Sequence, residues 1–383
     1  MNVPKLRFKE FNDEWEDINL AKVFQYFGTN SLSREQLSES GILKNLHYGD
    51  IHKKYNSIVN ESNEITSYVK DINYINKYEI LKNNDLIFAD ASEDYEGIGK
   101  AVEVVNVNNN TISGLHTILA RDNQNVFAPM FKGYYFNSSI VHNQLRILAN
   151  GFKVYGISKD SINKLKIKIP SISEQTKIAD FLSLLDKKIE LQFKKIEDLK
   201  LFKKGLSATI FNNLEDLKEY KLGEICSITT GKLDANAMVE NGKYRFYTCA
   251  KEYSFIDKYA FDTEALLISG NGAYVGYIHY YKGKFNAYQR TYVLNNFTQN
   301  IQFIKCYLEQ NLSKKINSEK KEGNTPYIVL STLADMTIKT PSKDEQIKIS
   351  NIINYCNSKI NLEKDKLLKL QELKKGLMQS MFV

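Results

Sequence analysis

The chain has 383 residues, a formal net charge of +7, 43% hydrophobic residues, and 24 Tyr and 20 Phe against a single Trp. No stretch reaches the 18 or more apolar residues of a membrane span, and residues 1–5 lack the apolar run of a signal peptide, so a soluble chain without a membrane partner is expected. Cys226, Cys249, Cys306 and Cys356 form no C-x-x-C pair, which argues against a zinc site or disulfide framework and suits the reducing cytoplasm.

In chain order, residues 1–20 form a lead-in anchored by Phe8, Phe11 and Trp15, and residues 19–27 open a first domain with a short strand or helix. From 42 to 168 short apolar stretches alternate with Asn-, Gly- and Asp-containing breaks, as at 85–89 and 101–105, which is the pattern of a strand-rich domain. The abundance of Tyr and Phe agrees, because aromatics fit pleated, half-buried surfaces. A helical region follows at 170–211. Residues 220–228 then open a second domain on the same plan as 19–27. Its strands are expected at 265–269 and, after a Gly-rich loop, at 274–278. Residues 115–118 of the first domain match 289–292 of the second, which pairs His116 with Arg290 and Thr117 with Thr291.

The last segment, 341–382, repeats the middle one. Shifting the sequence by 171 residues places Pro170 on Pro341, Glu174-Gln175 on Glu345-Gln346, and Lys203-Lys204-Gly205-Leu206 on Lys374-Lys375-Gly376-Leu377, with 18 identities in 46 ungapped pairs. Ser171 and Ser342, each three residues ahead of a glutamate, predict capping boxes that open two helices. Apolar residues then keep four-three spacing through Ile178, Leu182, Leu185, Ile189, Ile196, Leu199, Leu206 and Ile210. The second copy runs through Ile349, Ile353, Cys356, Ile360, Leu367, Leu370, Leu377 and Met381. Both heptads break at matched slots, Gln192/Glu363 and Lys203/Lys374. Such a seam wants a partner helix, and each copy is the obvious partner of the other.

Several chemistries lack their motifs. No phosphate-binding glycine loop, no Asn/Asp-Pro-Pro-aromatic tetrapeptide and no H-E-x-x-H is present, and Glu319-Lys320-Lys321 has no upstream acid that would complete a nuclease site. The expected organisation is α+β: a β-rich domain over 1–169, a spacer helix over 170–212, a second β-rich domain over 213–340 and a second helix over 341–383.

The two Pro-x-x-x-Glu-Gln helix starts, the isoleucine-rich helices ending in Lys-Lys-Gly-Leu, the approach through 157–160 and 165–170 and the opening 4–8 with Trp15-Glu16 together resemble the specificity subunit of type I restriction-modification enzymes. The likeness covers the whole chain as an order of parts, and it is motif-level over the two helical regions and their lead-ins. It implies two target-recognition domains, each reading half of a split double-stranded DNA site. It also implies two helices paired as an antiparallel coiled coil with pseudo-twofold symmetry, two adenine-methylating modification subunits, and motor-nuclease restriction subunits. The chain itself is then non-catalytic and needs no cofactor; S-adenosylmethionine, ATP and Mg belong to the partners.

On that basis the DNA-facing candidates in the first domain are His47, Tyr48, Lys53 and Lys54 in a basic, aromatic loop; Ser92 and Tyr95 in the loop after a strand; His116; and the phosphate ligands Arg121 and Lys153. In the second domain they are Asn271 and Tyr274, Gln289 for adenine and Arg290 for guanine, the phosphate-binding run Lys314, Lys315, Lys320 and Lys321, and Asn324. The lysine pairs at 203–204 and 374–375 are expected on the coil surface, where modification subunits dock. A different class of function, a coiled-coil assembly protein with two protein-binding heads, also accounts for the repeat but not for the basic loops. A stand-alone nuclease ranks third.

Overall fold

The computed structural model describes residues 3–65, 67–75, 78–108, 110–151, 154–319 and 327–383. The chain forms two compact units, Met1–Phe193 with Lys366–Val383, and Lys194–Asp365.

In the first unit, strands β1 (Phe24–Phe27), β2 (Ile58–Asn60), β3 (Leu86–Ala89), β4 (Ala101–Val105) and β5 (Thr117–Asp122) make a sheet in the order β1-β5-β3-β4-β2. Its neighbours are antiparallel except β2 and β4, which are parallel. Alternation sends Leu86, Phe88, Ala101, Ile118 and Ala120 into one core and Ile87, Ala89, Val102, Val104 and Leu119 into another. A sheet buried on both faces favours strands with apolar residues on both, which is why 86–89 and 101–105 stand out in the sequence; the one charged residue among them, Glu103, is buried against Lys132 at 3.4 Å.

The long helix α1 (Ile172–Asn212) leads to the second unit, whose sheet is built from β6 (Ser227–Thr230), β7 (Tyr244–Tyr247), β8 (Ser254–Ile256), β9 (Phe261–Ser269), β10 (Ile278–Ala287) and β11 (Thr291–Asn295). The order is β6-β11-β9-β10-β7-β8, with β7 and β10 parallel. Strand for strand, the first five repeat β1-β5-β3-β4-β2. The duplication is therefore carried by the topology of the heads as well as by the helices. Registers agree too: Thr117 faces Ala89 as Thr291 faces Ser269. His116 O accepts from Asp90 N at 3.0 Å as Arg290 O accepts from Gly270 N at 2.9 Å, so the His116–Arg290 match holds.

One expected strand is not there. Residues 274–277 form a turn, and β10 starts at Ile278. Gly272 and Gly276 both take φ of +80°, and Ser269 bonds Gly276 N and Tyr277 O, folding the loop back onto the end of β9.

The second unit continues with α2 (Ile301–Glu319), and α3 (Lys343–Ser380) closes the chain. Each long helix is capped as expected on one side only. Ser171 Oγ accepts from Glu174 N at 3.4 Å and Ser342 Oγ from Glu345 N at 3.3 Å. Glu174 does not reach back, because its carboxylate takes two bonds from the Arg7 guanidinium, at 2.8 and 2.7 Å. The neighbouring glutamines supply the second anchor. Buried Gln175 and Gln346 each donate Nε2–H to the carbonyl of their own proline at 2.9 Å. They accept from Ala128 N at 2.9 Å and Asn300 N at 3.0 Å respectively, which ties each helix start to its own head.

Within the first unit, Lys374 on α3 lies 2.5 Å from Asp186 on α1. Within the second, Lys203 donates to Asn357 at 2.7 Å and Lys195 lies 3.1 Å from Glu363. In the second unit numbers rise along one helix as they fall along the other, so the helix halves pair antiparallel; in the first the same sense holds, since Met381 shares a core with Ile178 while Lys374 meets Asp186. Position 186 maps onto 357 and 203 onto 374 under the shift of 171, so the heptad break at lysine is one polar pair made twice. Lys203 and Lys374 are thus turned into the pairing and are not surface groups, while Lys204 and Lys375 are exposed. The seam residues Ile178, Leu182, Leu185, Ile196, Ile349, Ile353 and Ile360 are buried. Phe382 packs on Phe131 and Tyr135 in the first unit, and its counterpart Phe211 packs on Phe303 and Tyr307 in the second.

Candidate nucleic-acid interface

In the first head three sequence-predicted loops converge. His47 caps the short helix Tyr48–Lys53, its Nδ1 accepting from Gly49 N at 3.1 Å. Burial, with help from Arg34, holds the His47 imidazole pKa below its usual range. The Tyr48 ring touches His47 (4.7 Å between centroids) and His116 (5.2 Å), and His116 sits at φ +53° with Nδ1 3.3 Å from Asp90. His52 Nε2 bonds Ala91 O at 2.9 Å, joining this helix to the loop after β3. Between them lies a cleft of about 490 Å³ walled by Arg34, His47, Tyr48, His52 and Lys53 on one side and by Ser92, Glu93, Asp94 and Lys100 on the other. Lys53 is exposed at this rim. Ser92 is buried and donates to Asp94 O, which shapes the loop. Tyr95 is exposed and donates its hydroxyl to Arg146 O. Lys54 points elsewhere, 3.4 Å from Asp50, which also holds Arg34.

Arg121 is not available to a phosphate. It is 8% exposed, donates to both oxygens of Asp85 (2.7 and 2.8 Å), to Glu79 (2.7 Å) and to Ile80 O, and lies 4.5 Å from the Phe27 ring centroid. It clamps the core of the head.

In the second head the Gly-rich loop and the turn into β11 also meet. Gly270 is bonded to Arg290 O, which places half-buried Asn271 and exposed Tyr274 beside exposed Gln289 and Arg290. Lys251 Nζ stands 5.1 Å over the Tyr274 ring. Lys315 is held by Glu319 at 2.7 Å. Lys314 lines a different surface, a groove of about 720 Å³ with Lys200, Lys204, Lys305 and Lys364 on α1, α2 and α3. Lys153, Lys320, Lys321 and Asn324 lie outside the described residues.

Sequence reasoning missed Arg245. Its guanidinium is sandwiched between Tyr253 (4.3 Å) and Tyr281 (4.5 Å), with Nη1 3.4 Å from Tyr247 Oη. The available signal was rarity, since the chain has only six arginines.

The long helices also carry a second apolar row outside their seam. In the first unit Leu184 and Leu191 are 66% and 58% exposed; in the second, Tyr355 and Leu362 are 63% and 48% exposed. These pairs are related by the shift of 171, as are exposed Phe202 and Leu373. Among the described residues no helix is long and apolar enough to cross a membrane, and no group of three or more His, Cys, Asp or Glu is placed to hold a metal ion.

The family model described as the type I restriction modification DNA specificity domain matches residues 12–201 and 214–372. The chain is 38% identical over 165 residues to the type I restriction enzyme EcoDI specificity subunit of Escherichia coli, a match over 43% of this chain and 36% of that one. It thus spans little more than a third of that curated relative. Among solved structures, the S subunit of a type I restriction-modification system from M. genitalium superimposes with TM-score 0.61 at 19% identity, over 100% of this chain and 99% of that one. A chain of a solved type I R-M system gives TM-score 0.59 at 15% identity, over 95% and 96%. At these identities the superpositions speak for the fold.

Proposed function

The chain belongs to the type I restriction modification DNA specificity family, and from that membership we propose that it reads a bipartite DNA sequence, one half-site per head, on behalf of catalytic partners. The observation that carries the reading is the doubling of the whole head: two sheets of one topology, each with a matched pair of polar segments, the loop at 92–95 with His116 and the loop at 271–274 with Gln289 and Arg290, and in the first head the helix Tyr48–Lys53 with its cap His47 beside them. Exposed lysines such as Lys53 hold phosphates and supply salt-sensitive affinity, while side chains on base edges supply sequence choice. Lys153, Lys320 and Lys321 remain proposed phosphate ligands on their sequence context. Helices of 41 and 38 residues are stiff enough to hold two half-sites in register, since one turn of B-DNA separates them by about 34–36 Å.

The apolar rows on α1 and α3 receive two modification subunits, one per row. Those subunits bring S-adenosylmethionine and flip the target adenine out of the stack; restriction subunits bring ATP- and Mg-dependent translocation and cleavage. The chain works in the cytoplasm as their guide and holds no cofactor of its own. The test is single-molecule methylation sequencing of cells expressing the chain with the modification subunit of its own system. N6-methyladenine at one split motif is expected, and replacing residues 1–169 by those of another family member changes one half only. A chain that neither co-purifies with the methyltransferase nor binds duplex DNA in a salt-dependent way is an assembly protein instead.

A further inference from the structure

The six arginines of the chain fall into two groups. Four are committed to carboxylates: Arg7 to Glu174, Arg34 to Asp50, Arg121 to Asp85, and Arg146 to Glu96. The other two, Arg245 and Arg290, are in the second head and make no ion pair among the described residues. Arg290 was anticipated from the sequence; Arg245 was not. A guanidinium flanked by two aromatic faces is held by cation–π attraction and has lost most of its rotamer freedom. Its in-plane N–H edge still carries donors, because the bond to Tyr247 Oη at 3.4 Å uses only one of five.

The cage is built on the candidate interface. Tyr253 ends the loop that follows β7, and that loop is pinned to the predicted DNA-facing segments. Cys249 Sγ donates to Arg290 O at 3.3 Å and Lys251 covers Tyr274, while His279 Nε2 on β10 bonds Ala250 O at 3.0 Å and fixes the loop to the sheet. An uncompensated, pre-oriented fork beside base-reading loops matches guanine, whose O6 and N7 present two acceptors in the major groove. A solvated structural arginine needs neither the cage nor the absence of a carboxylate.

We infer that Arg245, stacked between Tyr253 and Tyr281, is a specificity-determining residue of the second head that reads one guanine of its half-site. The inference rests on the proposal that the chain reads DNA. The test is selection from a random-sequence duplex library by the full chain in complex with its modification subunit, for the wild type, Arg245→Lys and Arg245→Ala. The wild type should enrich a split motif with a guanine in one half. Arg245→Lys keeps the charge but not the fork, so preference for that guanine should fall about 10- to 100-fold, the worth of one bidentate pair. All other positions, including the whole half read by the first head, should stay as they were, which also shows that the variant is folded. An unchanged motif in both variants overturns the inference and leaves the reader intact. So does a uniform loss of affinity in Arg245→Ala that lysine restores, the sign of a phosphate contact. If the wild type enriches no motif, the DNA-reading premise has failed and Arg245 falls with it.

Discussion

Arg121 and Arg245 carry the same side chain and have opposite fates, decided by what lies across the fold. Arg121 meets two carboxylates from the segment before β3, so its removal strands Asp85, which is 1% exposed. Arg121→Gln should destabilise the first head by about 3–5 kcal/mol, as for other broken buried pairs, without altering the salt slope of DNA binding. A smaller salt slope with full stability would restore it as a phosphate ligand. His142 gives a second, pH-dependent case: burial, reinforced by Arg146 and Lys100, pushes its pKa down to about 4. Its folded value lies below the unfolded value near 6.5, so the imidazole is neutral in the head and stability is complete above pH 6.5. As pH falls from about 6.5 to 4 the unfolded chain takes up the extra proton and stability drops by up to about 3 kcal/mol. Denaturation of His142→Gln across that window should lack this component; identical pH slopes would remove it. Neither fate was legible from sequence, which shows a residue's charge but not its burial, as for His142, nor a partner 36 positions away, as for Arg121 and Asp85. His47, Tyr48 and His116 were legible because their loops are polar breaks between apolar strands, and the fold brings those breaks to one place.

At the scale of elements, the sequence showed where the heptad breaks but not why. A lysine in an apolar seam looks like a surface group, yet Lys374 finds Asp186, which also accepts from Tyr134 Oη at 2.9 Å. The counterpart of Asp186 is Asn357, so the position requires an acceptor and not a charge. Asp186→Asn should therefore cost under about 1 kcal/mol, whereas Asp186→Leu leaves an ammonium and a hydroxyl without an acceptor and should cost about 1–3 kcal/mol. Denaturation midpoints of the two variants check this, and equal losses would mean that the charge matters. The Pro-x-x-x-Glu-Gln motif was likewise visible without its division of labour. Glutamate promised the cap, but Arg7 draws Glu174 away and glutamine closes the helix end. The strand expected at 274–278 failed for a local reason. Tyr and Val there have strand propensity, but Gly272 and Gly276 at positive φ turn the chain before Ile278, and the loop they build is the one set beside Arg290.

At the scale of the whole molecule, duplication predicts stoichiometry. A helix in a coil buries one seam and should present a polar back to solvent, yet each unit here leaves the same row uncovered, Leu184 and Leu191 in the first and Tyr355 and Leu362 in the second. Exposed rows of large apolar side chains at helical spacing mark where another helix docks. Because the row exists twice in matched form, two identical partners can use it, one for each copy. Aspartate at Leu184 and Leu191 should remove one modification subunit from the complex, aspartate at Tyr355 and Leu362 should remove one, and all four changes should remove both. Native mass spectrometry of the co-expressed complex counts them. Since these side chains are solvent-exposed in the chain alone, its denaturation midpoint should move by no more than about 0.5 kcal/mol per site. Two subunits retained by the fourfold variant would place the partners on some other surface, and the loss of both from either double variant would mean that they bind as a pair and not one to each row.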